Sequence, residues 1–262
     1  MVEMGMPTLI EAESLETCAA LCRELGLQFI EVNMNLPQFQ PDRLDAGYFN
    51  AIAEQYGIYY TIHLDENLDA CDFNPYVAAA WRRTACETIE AAKKLQIPIL
   101  NMHLSAGVYF TLPERKAYLY EENRTRYFDS ILRFRDECTE AIGGAEMRIC
   151  IENCSGYRPF QLEAIDLLLQ SPCFGLTFDI GHNHGCGGVD ERVILDRADH
   201  LHHMHVHDAL GKKNHLALGT GEIDIRKYLN LAQKQHCRAV LENKTIAGLK
   251  QSVEWIRANG LR

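Results

Sequence analysis

Six short apolar runs in the chain each end in a residue able to bind a metal ion. They are YYTIHL with His63, ILNMHL with His103, RICIEN with Glu152, LTFDIG with Asp179, HHMHVH with His205 and AVLEN with Glu242. Two places before each lies a residue of the same parity: Thr61, Asn101, Cys150, Thr177, His203 and Val240. The opposite parity is apolar, from Ile62 and Leu64 in the first run to Ala239 and Leu241 in the last. Side chains of a strand alternate between its faces. Each run therefore reads as a strand with a carboxylate or imidazole at its C-terminal end, on the face away from its oily side. In a parallel barrel that face is the interior, and the C-terminal rim is where catalysis occurs.

Two Glu, one Asp and several imidazoles suit Zn, Mn, Co or Fe(II). Carboxylates turned inward without a cation would be costly. No Cys falls at a strand-end position, so an all-sulfur site is excluded. One ion is expected on Glu152, Asp179, His205 and Glu242, and His63 with His103 could hold a second, bridged by Glu152. His182, in D-I-G-H, and His215, in KKNHLALG, could complete a third site or contact substrate. Lys244 and Arg158 follow strands and could bind a phosphate or carboxylate. His203, one layer below His205, reads as a hydrogen-bonded core residue. His207 and Asp208 lie just past the ligand, where they could orient it. His200, His202 and His236 read as surface or helix-facing, and His184 as part of a Gly-rich loop.

The elements that must position these residues alternate along the chain. Strands are expected at 3–6, 27–33, 58–64, 97–103, 147–152, 174–179, 201–207 and 238–242. Helices are expected at 13–25, 44–56, 76–95, near 115–142, at 159–170, 189–199, 224–235 and 246–258, with Gly57 and Gly143-Gly144 as stops. Strands alternating with helices imply parallel pairing, and eight such units in 262 residues favour a closed barrel. No GxGxxG or GxxxxGK[ST] follows a strand, which counts against Rossmann and P-loop readings. The expectation is one (β/α)8 TIM-barrel domain over 1–262, with a metal site at its C-terminal rim.

Two further segments stand out. Aromatics interleave with Arg115, Lys116, Arg124 and Arg126 over 108–128, as a lid, a nucleic-acid contact or an amphipathic helix start would require. LGTGEID reads as a tight turn feeding a helix capped by Asp224. The net charge of −10 provides no global basic field for nucleic acid. Ten scattered cysteines without a CxxC pair, and no signal-peptide pattern, point to reduced thiols in a cytoplasmic protein. No apolar stretch reaches the roughly 18–20 residues of a membrane span.

The pieces H63, N-M-H103, I-E152-N, F-D179-I-G-H182, M-H205-V-H-D208, H215-L-A-L-G-T-G-E-I-D and L-E242-N resemble the xylose isomerase-like TIM-barrel superfamily, also called the AP endonuclease 2 superfamily. The resemblance spans essentially the whole chain and implies one of two chemistries. In sugar isomerases and epimerases the Glu–Asp–His–Glu tetrad holds one Mn, Mg or Co ion, and the two Glu exchange protons beside a carbonyl. In endonuclease IV three zinc ions activate water to cleave DNA at an abasic site. The endonuclease pattern finds His63, His103, Glu152, Asp179, His182, His205, His215 and Glu242, but the Asp it requires two residues before His215 is Lys213 here. Asp65, Glu66, Asp69 and Asp72 follow His63 and would repel a phosphate backbone.

Both departures favour a small substrate. The resemblance thus implies a metal-dependent isomerase or epimerase of a sugar, sugar phosphate or related polyol-derived carbonyl compound, with one divalent ion (Zn, Mn, Co or Mg) or two. The ion on Glu152, Asp179, His205 and Glu242 would stabilise an enediolate. Glu152 and Glu242 would move the proton, and His182, His215, Lys244 and Arg158 would contact substrate. The competing expectation is an endonuclease IV-like zinc phosphodiesterase with a di- or trinuclear site. A binding or regulatory protein that kept the site without turnover is a third. The expected partner is a small carbohydrate-like molecule, with neither nucleic acid nor membrane, and self-assembly into a homo-oligomer is compatible with the sequence.

Overall fold

The alternating runs close into a ring. A computed structural model describes residues 2–261. Its strands are β1 (Glu3–Pro7), β2 (Phe29–Asn33), β3 (Tyr59–His63), β4 (Ile99–His103), β5 (Tyr109–Thr111), β6 (Lys116–Tyr118), β7 (Arg148–Glu152), β8 (Phe174–Asp179), β9 (Leu201–Val206), β10 (Asp208–Leu210), β11 (Lys213–Leu216) and β12 (Arg238–Leu241). Eight of them form a closed barrel in the order β1-β2-β3-β4-β7-β8-β9-β12, and every neighbouring pair is parallel. The helices between them are α1 (Leu15–Leu25), α2 (Ala46–Tyr56), α3 (Pro75–Lys94), α4 (Leu119–Glu122), α5 (Arg124–Ile142), α6 (Pro159–Leu168), α7 (Ile180–Gly185), α8 (Val189–Leu195), α9 (Ile225–Lys234) and α10 (Ile246–Ala258). This is a single (β/α)8 TIM barrel. Helix starts carry side-chain caps, Asp224 as expected and Ser14, Asp45, Asn74 and Thr245 besides, each accepting a first-turn backbone N–H.

The two parities of each strand serve two cores. Ile30, Val32, Ile62, Leu100, Met102, Ile149, Ile151, Phe178, Met204 and Leu241 face outward into one apolar cluster shared with the helices. The other parity fills the barrel in layers, as the architecture requires. Phe29 and Tyr59 stack at its base, with ring centroids 5.2 Å apart. A Cβ on Gly5 would lie 2.4 Å from the Phe29 ring, so β1 carries no side chain there. Above this layer the interior turns polar, with Glu31, Thr61, Asn101, Thr177 and His203 all buried.

Three expected elements differ. The helix near 115–142 is instead the antiparallel hairpin β5–β6, the short α4 and then α5. Pro113 sits in the hairpin turn, closed by Leu112 N–H to Arg115 O at 2.8 Å, and the Lys116 amine lies 4.3 Å over the Tyr109 ring. The loop after the seventh barrel strand contains a second hairpin, β10–β11, which turns at Gly211 with φ 57°. The helix at 189–199 divides into α8 and a 3-10 turn at Ala198–His200, and His184 lies on α7 rather than in a loop.

Candidate metal centre

The six strand-end residues meet around Glu152, which is 1 % exposed at the end of β7. Its Oε2 lies 3.4 Å from His63 Nε2 and 3.3 Å from His103 Nε2, and it accepts the Asn101 amide. Its Oε1 lies 3.3 Å from His205 Nδ1 and 3.4 Å from His182 Nδ1. His205 Nδ1 is in turn 3.5 Å from Glu242 Oε2 and 3.8 Å from Asp179 Oδ2. Donor atoms of Glu152, Asp179 and His205 all lie within 4.8 Å of one another, as do those of His63, His103 and Glu152. The sequence-derived tetrad and the second pair are thus assembled at one end of the barrel, with Glu152 common to both.

Local structure explains the placement. Asp179 ends β8 and caps α7, accepting the His182 N–H at 2.6 Å. Asn153 clamps the ends of β7 and β8 together, donating to Asp179 O and accepting the Asp179 N–H, each at 2.9 Å. His182 Nδ1 stands 3.5 Å from Asp179 Oδ2. His215 Nε2 reaches Glu242 Oε2 at 3.3 Å from β11, and Lys244 Nζ reaches Glu242 Oε1 at 2.8 Å. Arg158 lies apart from this group. Its guanidinium stacks 4.0 Å over the Tyr118 ring and bonds the Tyr118 hydroxyl and Gly156 O, tying the β5–β6 hairpin to α6. Lys213 is exposed, with its backbone paired to Leu210.

Glu31 escaped the sequence reading. It is 1 % exposed on β2, and its Oε2 lies 2.8 Å from His203 Nε2 and 3.2 Å from Thr61 Oγ1. Its Oε1 lies 2.8 Å from His205 Nε2, off the N–H axis, so this contact is an ion pair rather than an aligned hydrogen bond. The signal was present: in FIEVN, Glu31 shares parity with Asn33 against Ile30 and Val32. His203 is the hydrogen-bonded core residue expected. His207 is fully buried, with Nε2 3.1 Å from Asp179 Oδ2 and Nδ1 accepting the His215 N–H at 2.8 Å. Asp208, also buried, accepts the backbone N–H groups of Ala209, Gly219, Gly221 and Ile223, at 2.9 to 3.1 Å.

Four buried carboxylates here face mainly imidazoles, and the imidazoles carry the compensating charge. Burial opposes a proton on His63, but Glu152 outweighs it and lifts the pKa to about 8. Burial opposes one on His182 too, and Asp179 and Glu152 raise it to about 9. His205 is driven well above its ordinary value by Glu152 and Glu31 against the same burial. Glu152 and Glu242, which burial alone would push up, are held well below the usual range, chiefly by His205. His215 moves down, through burial, with His207 and Lys244 adding to it. Despite these contacts Glu242 Oε2 and His205 Nδ1 make no aligned hydrogen bond. With His205 neutral, as a metal ligand must be, its Nδ1 and Glu242 Oε2 are buried acceptors without an aligned donor, which a divalent cation would satisfy, so the residues fit one ion on the tetrad and a second on His63, His103 and Glu152. His182, His207 and His215 also lie within ligand reach of one another. However, both His207 nitrogens are already engaged, one by a backbone N–H and one by Asp179.

A cavity of about 410 Å³ opens onto this group, lined by His103, Glu152, Trp81, Glu66, Asp69 and Asp72 among others, with no Lys or Arg among the described residues of its wall. A larger cavity, about 640 Å³, lies at the opposite end against Glu3, Tyr59 and Arg238, away from every cluster of ligand-type residues found among the described residues. No helix among the described residues is long and apolar enough to cross a membrane.

Residues 19–259 match the family described as xylose isomerase-like TIM barrel. An uncharacterized protein of Methanocaldococcus jannaschii is 22% identical over 239 residues, covering 87% of this chain and 83% of that one. The crystal structure of a D-tagatose 3-epimerase-like protein superposes with a TM-score of 0.79 at 20% identity, over 98% of this chain and 96% of the other. That of 3-keto-D-glucoside 4-epimerase from E. coli gives a TM-score of 0.77 at 13% identity, over 98% of this chain and all 100% of the other. Sugar epimerases are therefore among the chain's structural neighbours.

Proposed function

The chain belongs to the xylose isomerase-like TIM barrel family, and from that premise we propose that it is a metal-dependent epimerase or isomerase of an unphosphorylated sugar. The observation that carries this reading is the convergence of Glu152, Asp179, His205 and Glu242, with Glu242 Oε2 and His205 Nδ1 buried and without an aligned hydrogen bond. A bound divalent ion would supply Lewis acidity to adjacent substrate oxygens. The chain's own groups would move the proton. Glu152 ends β7 and Glu242 directly follows β12, on either side of His205, so one carboxylate removes the proton beside the carbonyl and the other returns one. Lys244 and His215 hold Glu242 ionised, and His182 orients a substrate hydroxyl.

The cavity wall supports an uncharged substrate. Glu66, Asp69 and Asp72 repel a phosphate group, and Trp81 adds an aromatic side chain to the same wall. The epimerase-like protein and the epimerase above are named for D-tagatose and a 3-keto-D-glucoside, neither a phosphate ester. The same acidic wall, and Lys213 where endonuclease chemistry needs an acid, weigh against a DNA phosphodiester.

Incubation of ketohexoses with the protein in D2O with Mn(II) or Co(II) tests this. Deuterium should enter at the carbon beside the carbonyl. Glu242→Gln should slow that exchange by roughly 10²–10⁴-fold while the fold persists. Wild-type exchange in Glu242→Gln would overturn the assignment, and nicking of abasic DNA that Glu242→Gln abolishes would replace it with the phosphodiesterase.

A further inference from the structure

We propose that His207 is a positioning residue that holds Asp179 in the orientation a bound cation requires, an inference that rests on the metal-dependent reading above. A backbone N–H can only donate, and that of His215 points at His207 Nδ1 from 2.8 Å. Nδ1 also lies 3.3 Å from Asp208 O, but the His215 N–H is the nearer partner, so in the neutral ring Nδ1 accepts it and the proton sits on Nε2, which donates to Asp179 Oδ2 at 3.1 Å. Asp179 Oδ1 already accepts the His182 N–H at 2.6 Å. Both oxygens of this carboxylate are thus held by the protein, one by a helix N-terminal amide and one by an imidazole with a fixed tautomer.

The surroundings are shaped around that ring. His207 stacks on His215, with centroids 4.3 Å apart and planes 17° from parallel. A Cβ on Gly181 would fall 1.9 Å from His207 Cε1, so only glycine at that position leaves room for the imidazole. His215 itself adopts φ 55°, a left-handed conformation that side-chain-bearing residues rarely take, and this conformation goes with the aim of its N–H at His207. A hydrogen bond from an imidazole to a ligating carboxylate fixes the carboxylate's orientation, and losing such a partner typically weakens metal affinity 10–100-fold. The sequence hinted at a role for His207 only through its place in M-H-V-H-D. The tautomer and its direction come from three segments, 179–182, 207 and 215, that meet only in the fold.

The test is Co(II) affinity of the full-length protein, measured by competition with a chelating dye, together with the Co(II) visible absorption spectrum. His207→Phe keeps the ring volume without the donor and should raise the Co(II) Kd roughly 10–100-fold and alter the spectrum. His207→Gln keeps an N–H and should recover part of the loss, whereas Gly181→Ala should weaken binding by crowding the ring. A purely structural His207 would lower the melting temperature and leave Kd unchanged in all three, which would overturn the proposal. Nitrogen-15 NMR of histidine-labelled wild-type protein provides an independent measurement, since a proton on Nδ1 rather than Nε2 of His207 would also overturn it. Wild-type protein that binds no divalent ion would instead sink the metal-dependent reading itself.

Discussion

Glu152 is the residue on which the site turns. It is within ion-pair distance of four imidazoles, His63, His103, His182 and His205, and no other described side chain joins both ligand groups. A second ion held by His63, His103 and Glu152 should be lost with either histidine. His103→Ala is expected to lower bound metal by about one equivalent per chain by elemental analysis, and unchanged content would mean that His103 contacts substrate only. The ion-free protein should also show a defined pH dependence. The pKa values of His63 and His182 are raised from 6.5, to about 8 and about 9, so their contribution is complete below 6.5 and is lost as pH climbs through 8 to 9. Glu152 and Glu242 are lowered from 4.5, so their contribution holds above 4.5 and is lost on acidification. Thermal melts in chelator should therefore peak between these limits and decline from pH 6.5 to 9. Bound metal requires neutral imidazoles and should remove the alkaline decline. A flat or rising chelator curve over that interval would contradict the charge assignment.

At the scale of elements, the loop 217–224 is held by one carboxylate. Asp208 gathers four backbone N–H groups at once, three of them from that loop. Glycine is required at two of its positions. A Cβ on Gly221 would lie 2.2 Å from Ala209 O, and Gly219 has φ 79° with Trp255 Nε1 2.2 Å from where a Cβ would stand. Hydrogen bonds to a charged group contribute about 1.5–3 kcal/mol each, less the water contacts regained when a loop opens. Asp208→Ala should destabilise the protein by roughly 3 kcal/mol and raise proteolytic nicking within 217–224. A variant with wild-type stability and protection would show the loop to be held otherwise. The LGTGEID run is legible as a turn because glycine and the Asp224 cap are local signals. That Asp208 anchors it is not legible, since an acid after a strand carries no mark of its partners. The β5–β6 hairpin is hidden from the sequence for a related reason. Its strands are three residues each, shorter than any periodicity can register, and the Tyr109–Tyr118 pairing that holds them is a contact across the turn.

The barrel as a whole divides into an oily shell between strands and helices and an interior that changes from aromatic to ionic along its axis. Packing at the base sets the register that brings the ligands to one height: Phe29 against Tyr59 below, Glu31 beside Thr61 above, and His203 opposite Arg238 in the ladder. Gly5→Ala places a methyl into the Phe29 ring, and overpacking of this kind costs about 1–3 kcal/mol. It should lower the melting temperature by several degrees while leaving metal stoichiometry intact, and no shift would mean that the base layer has room to relax.

The eight parallel strands, their parity and the ligand-type residues at six of their C-terminal ends can all be read along the chain, because alternation is a local property and burial enforces it. The break that Lys213 makes in the endonuclease pattern is equally local. Four other features exist only once the barrel has closed: Glu152 serves both ligand groups, Glu31 sits against His205, Arg158 packs on Tyr118 away from the centre, and His207 faces Asp179. Each of these is a relation between residues distant in sequence. Their distances are set by barrel closure and strand stagger, and no periodicity along one strand encodes which residue of another stands at the same height.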